Sequence, residues 1–187
     1  MKKQEIQNLY NKYNVPKNIQ QHMRLVCDVA LFLGKKIKKN APKLNLHNLR
    51  SAALIHDLAK ILETTEAKYK KIGHANALKQ IIPQKKYADI VKIASKHEIH
   101  SIFATKKSTR PTTIEEKILY YSDKRVQGQK IVSLRDRLST CMKNYYGEQP
   151  IPQNGLDIME AAIALESELC ELAAILPRDI NNKSVLN

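Results

Sequence analysis

"LRSAALIHDLAKIL", residues 49–62, decides how this chain is read. The stretch is apolar at helical spacing except for two neighbours, His56 and Asp57. A helix face that fills a core gains nothing from a lone imidazole and a lone carboxylate. Their burial costs free energy unless they share partners.

Outward from this stretch helical periodicity dominates, and strand-like alternation is nowhere convincing. The helix carrying the pair is expected over about Leu46 to Leu62. Before it, "NVPKNIQQHMRLVCDVALFLGKKIKK" offers Asn14 as a cap and Pro16 in the first turn. Its stripe runs Ile19, His22, Val26, Ala30, Leu33, Ile37. After it, "YKKIGHANALKQIIP" predicts a shorter helix that starts near Gly73 and is stopped by Pro83. "QKKYADIVKIASKHEIH" predicts another, with Ile90, Ile93 and His97 on one stripe. "RPTTIEEKILYYSDKRV" carries a capping box, Thr113 with Glu116, and puts Leu119, Asp123 and Val126 on a common face. Residues 127–155 are mixed, with "YYGEQPIPQNG" as a loop. Residues 156–176 form a C-terminal packing helix ended by Pro177, and "RDINNKSVLN" is expected to fray. With no repeat and no linker, the expectation is a single all-α domain over residues 1–187.

Four of these helices carry a metal-type ligand on the face meant for burial: His22, His56 with Asp57, His97, and Asp123. His74 opens a fifth. Any one of the histidines, taken alone, reads as a core residue bonded to a backbone carbonyl. Together they are better satisfied by a shared divalent cation, and helices supply the rigid frame that such a site needs. His56 and Asp57, about 100° apart around a helix, suit two ligands that grip a metal from one side.

The ordered series H, HD, H, H, D resembles the HD-domain metal-dependent phosphohydrolases over roughly residues 15–140. "LIHDLAK" is similar to the signature stretch of that family, and "EEKILYYSDKRV" to the helix that carries its last ligand. The resemblance implies a helical bundle with a metal site between helices. One ion would bind His22, His56, Asp57 and Asp123. The two intervening histidines resemble the branch that holds a second ion, which includes hydrolases of dinucleoside polyphosphates. That ion would take His74 and His97 with Asp57 bridging, and His100 competes for the place of His97. One or two divalent ions per chain are therefore expected, with Mn or Fe favoured by resemblance and Co, Ni, Zn or Mg left open.

The resemblance further implies hydrolysis of a nucleotide, or another phosphate ester or anhydride, by metal-activated water. Asp57 and Lys60 would be the catalytic residues, Lys60 lying near substrate phosphate. Lys124 and Arg125, just beyond Asp123, are further candidates for phosphate contact, and at most one of Arg135 and Arg137 can reach the same site. The loop "FATKKSTRPTT", residues 103–113, is a candidate cover over substrate. Asp28 and Glu63 read as solvated charges, His47 as surface, and Glu98 as exposed.

Composition narrows the alternatives. Five glycines and no G-x-x-x-x-G-K-[ST] argue against a Rossmann or P-loop design. Cys27, Cys141 and Cys170 form no disulfide framework. No apolar run is long enough to span a bilayer and the N-terminus lacks an apolar signal core, so the cytoplasm is expected, with no membrane partner. The formal charge of +14 favours an anionic, phosphate-bearing partner without choosing its size, and the resemblance puts a small nucleotide first. The alternative is an RNA-binding or RNA-end-processing phosphodiesterase module, although eight tyrosines and two phenylalanines leave few rings for stacking.

Overall fold

The computed structural model describes residues 1–186, and almost all of its regular structure is helical. In chain order come α1 (Lys3–Lys12), α2 (Lys17–Ile37), α3 (Leu46–Ala53), α4 (Lys60–Thr65), α5 (Ala67–Ile72), α6 (His74–Ile81) and α7 (Gln84–Ala94). A 3-10 helix at Ile99–Phe103 precedes α8 (Ile114–Lys124) and a two-strand hairpin, β1 (Val126–Gln127) with β2 (Lys130–Ile131). Then follow α9 (Leu134–Tyr146), α10 (Gln153–Ala173), a 3-10 turn at Pro177–Asp179 and α11 (Asn182–Leu186). The all-α expectation holds. Among the described residues, no helix is long and apolar enough to cross a membrane.

The centre of the bundle is α2, whose three-four stripe packs it against α3, α8 and α10, while α3 also meets α7 and α8. Met23, Val26, Val29, Leu33 and Ile37 are fully enclosed, and burial of each large aliphatic side chain contributes roughly 1.5–3 kcal/mol. The α2–α3 approach is close at Gly34, where a Cβ would lie 2.8 Å from Leu46 Cδ2, so a larger residue there would push the helices apart. Thr113 caps α8 as its sequence indicated, and Glu116 completes the capping box.

The local departures from expectation concern the ends of helices. The stretch 46–62 is two helices, α3 and α4, separated by a tight turn over residues 54–59 that contains His56 and Asp57. Backbone bonds there shorten to three-residue spacing, Ile55 N to Ala52 O at 3.1 Å and Leu58 N to Ile55 O at 3.0 Å. Likewise α7 stops at Ala94, so His97 lies beyond it in a turn rather than on its stripe. Asn14 does not cap α2; it takes a left-handed φ of 48° before Pro16. The tail expected to fray is anchored at its start: Ile180 is buried, and the Arg125 guanidinium donates to the carbonyls of Pro177 and Ile180, while Asn187 lies outside the described residues.

Candidate metal centre

Six side chains from separate segments converge: His22 of α2, His56 and Asp57 of the α3–α4 turn, His74 at the start of α6, His97 after α7, and Asp123 of α8. Short-range structure sets the orientation of each. His56 and His97 use one device, each donating its Nδ1 proton to the carbonyl of the residue that ends the preceding helix. His56 bonds Ala53 O at 2.8 Å, and His97 bonds Ala94 O at 2.6 Å. His22 Nδ1 faces the Gly128 carbonyl in the β1–β2 turn at 3.3 Å. His74 Nδ1 donates to Glu63 Oε2 at 2.8 Å. Gly73, with φ of 75°, makes the sharp entry that sets His74 at the head of α6.

With every Nδ1 turned toward an oxygen acceptor, the four Nε2 atoms are left to point inward. His22 Nε2 lies 3.0 Å from Asp123 Oδ1 and 3.8 Å from Asp57 Oδ2. His56 Nε2 lies 3.5 Å from Asp123 Oδ1 and 3.8 Å from Asp57 Oδ2, and it has no hydrogen-bond partner. On the other side, His74 and His97 place Nε2 at 3.5 and 3.4 Å from Asp57 Oδ1, and 3.0 Å from one another. Asp57 therefore turns one carboxylate oxygen toward each pair of histidines.

This arrangement fits divalent cations and little else. An imidazole that donates through Nδ1 carries a lone pair at Nε2. Four such lone pairs facing each other and two carboxylates, largely buried, repel unless positive charge lies between them. The orphaned Nε2 of His56 is the plainest sign. Two overlapping sets could each hold an ion: His22, His56 and Asp57, and Asp57, His74 and His97. Asp123 stands against the first set through both of its histidines.

The electrostatics agree. Burial opposes the ionised form of Asp57, but His56, His97 and Lys60 outweigh it and hold the carboxyl well below its usual range. Burial likewise opposes ionised Asp123, and Lys124, His22 and His56 prevail. Burial keeps His97 neutral by lowering its pKa. Burial works the same way on His56, yet Asp57 and Asp123 overcome it and raise the ring, which marks a point where the fold calls for positive charge.

The cluster forms the floor of an open cleft of about 1010 Å³. Lys60 stands at its side, its Nζ 3.2 Å from Asp57 Oδ2, and Asp57 raises its ammonium above the ordinary range despite burial and the nearby Arg137. Lys124 also lines the cleft, but its Nζ is buried, donating to the His97 carbonyl at 2.8 Å and to Asp123. Arg125 is not at the cleft. Its guanidinium turns the other way, bonded to Val132 O, the Tyr121 hydroxyl and the tail carbonyls, so its expected phosphate contact is corrected to a structural one. Of the α9 arginines, Arg137 lines the cleft and Arg135 does not. His97, and not His100, enters the cluster; His100 is exposed and sits edge-on to Tyr145 at the cleft mouth. None of residues 103–113, the loop expected as a cover over substrate, lines the cleft.

Glu63, read from the sequence as a solvated charge, instead bonds His74 Nδ1. Its role is to fix the tautomer of His74 from eleven residues upstream, a relation created by the α4–α5–α6 bend and carried by no helical spacing. Glu98 stays largely exposed, 4.0 Å from His74 Nδ1.

A family model described as HD domain matches residues 19–126, more than half of the chain and the whole run from His22 to Asp123. No curated protein and no solved structure matches.

Proposed function

The chain belongs to the HD-domain family, and on that premise we propose that it hydrolyses a phosphate ester or anhydride of a small nucleotide, with water as the nucleophile. The family is in general one of metal-dependent phosphohydrolases, which is the coarser part of this reading. The observation that carries the finer part is Asp57, whose two carboxylate oxygens face separate histidine pairs, an arrangement suited to bridging a pair of divalent ions. Ions held by His22, His56, Asp57 and Asp123, and by Asp57, His74 and His97, would lower the pKa of a bound water toward neutrality and draw charge from the phosphoryl oxygens.

The chain's own groups would do the rest. Lys60, partly exposed on the cleft side of Asp57, is placed to meet a non-bridging phosphoryl oxygen and to offset the charge that develops there. Lys124 holds Asp123 ionised and ties it to the backbone of His97, linking the two halves of the cluster. Glu63 and the carbonyls of Ala53 and Ala94 keep the histidine rings in one tautomer. A cleft of about 1010 Å³ accommodates a nucleotide. Mn or Fe is favoured by resemblance to the family, since the ligand chemistry itself is shared with other first-row metals.

The test is a panel of nucleoside mono-, di- and triphosphates and dinucleoside polyphosphates, assayed for phosphate or monophosphate release with several added metals. Metal-dependent release by the wild type, abolished in Asp57→Ala, is expected. Cleavage of RNA alone, with binding that weakens steeply as salt rises, would move the assignment to the RNA phosphodiesterase that the charge of +14 also allows.

A further inference from the structure

The cleft has a wall that the family match does not reach. Helix α9 begins at Leu134, beyond the matched residues 19–126, and turns Arg137, Cys141, Asn144 and Tyr145 toward the cleft. Two of these have unspent chemistry. Arg137 Nε is enclosed and has no hydrogen-bond partner, and among the described residues no carboxylate pairs with this guanidinium. It stands near Lys60, whose ammonium is already paired with Asp57, so Arg137 adds an unpaired cation to the same cleft. Such an arrangement is unfavourable by itself and favourable around a phosphate. Tyr145 is 58% exposed, although a tyrosine gains by burying its ring. It meets the His100 ring at 4.8 Å in an edge-on contact, and both line the cleft mouth. The two rings stand nearly perpendicular, at 73°, and much of the Tyr145 side chain stays open to solvent.

We propose that this face of α9 is a nucleotide-reading subsite, with Arg137 contacting a phosphate beyond the scissile one and Tyr145, beside His100, stacking the nucleobase. The two positions are eight residues apart, about 12 Å along a helix. That span suits a nucleoside carrying several phosphates better than a monophosphate or a bare phosphate ester. The inference rests on the phosphohydrolase reading above and deepens it, naming a nucleoside polyphosphate as the substrate class. It makes Arg137 and Tyr145 determinants of specificity; the cluster under them does the chemistry.

The test is direct binding, independent of turnover. The metal-loaded protein is titrated calorimetrically with the non-hydrolysable β,γ-methylene analogue of ATP and, separately, with inorganic triphosphate. Tyr145→Ala is expected to weaken the nucleotide analogue about tenfold and leave inorganic triphosphate unchanged, since stacking acts on the base alone. Arg137→Ala is expected to weaken both by about tenfold to a hundredfold. Arg135→Ala, on the exposed side of the same helix, is expected to change neither. Equal affinity of wild type and Tyr145→Ala for the nucleotide analogue would overturn the stacking role, while leaving a nucleotide hydrolase in place. A wild type that binds inorganic triphosphate but not the nucleotide analogue would overturn both the subsite and the nucleotide reading. Circular dichroism of each variant verifies folding, and Tyr145→Phe, which keeps the ring, restores the affinity if stacking is the cause.

Discussion

Glu63 accepts the Nδ1 proton of His74 at 2.8 Å, and in doing so commits the other ring nitrogen of His74 to the cluster shared with His97 and Asp57. A ligand whose tautomer is held by a carboxylate is also the more basic for it.

Glu63→Ala is therefore expected to weaken the ion held by Asp57, His74 and His97 by about tenfold to a hundredfold. The ion nearer His22 and Asp123 should be little affected, because Glu63 touches neither of those residues. Metal titration that resolves the two binding steps checks this. Equal weakening of both steps would show that Glu63 acts on the fold as a whole.

Lys96 and Glu116 form a second buried ionic pair, 2.9 Å apart, that anchors the turn just before His97 to the start of α8. Burial works against the Glu116 carboxylate, but the backbone donors of Thr112 and Thr113, together with Lys96, hold its pKa below the usual range. A folded value below the unfolded one adds stability that is complete above the unfolded pKa of about 4.3 and is lost as pH falls through the folded value. Unfolding midpoints measured down through that acid window should fall more steeply for the wild type than for Glu116→Gln. At neutral pH, Glu116→Ala strands the Lys96 ammonium and should cost about 3–5 kcal/mol. Parallel acid curves for the two proteins would remove Glu116 from the acid sensitivity.

Arg125 is held by four acceptors, two of them in the tail at Pro177 and Ile180. Arg125→Lys keeps the charge and loses the planar fork. It should free the segment from residue 177 onward, seen as new cleavage by a nonspecific protease, with a stability loss of about 1–3 kcal/mol and an unchanged metal content. A tail as well protected in the variant as in the wild type would show that Ile180 packing alone holds it.

Much of this architecture was legible because α2, α8 and α10 follow simple rules, three-four apolar spacing and a capping box at Thr113, although α10 stops at Ala173 on a left-handed Ala174 rather than at Pro177. The six converging side chains were legible too, since polar groups on an apolar face demand a shared reason. What the sequence concealed was how two of the ligands are presented. No glycine or proline marks the breaks after Ala53 and Ala94; in both places a histidine side chain bonds back to the helix end. Helical spacing carries no trace of such a bond, so His56, Asp57 and His97 read as helical when they lie in turns. Arg125 and Glu63 were misread for a related reason, their partners being distant in sequence and set by bends between short helices.

Four inward-facing Nε2 atoms and two carboxylates are placed to share bound cations. Elemental analysis of purified protein, after loading with Mn or Fe and removal of free metal, tests it most directly. About two ions per chain are expected for the wild type, about one for His74→Ala, and close to none for Asp57→Ala, because the bridging carboxylate belongs to both sets. A wild type that retains no metal, or an Asp57→Ala variant that retains as much as the wild type, would contradict the claim.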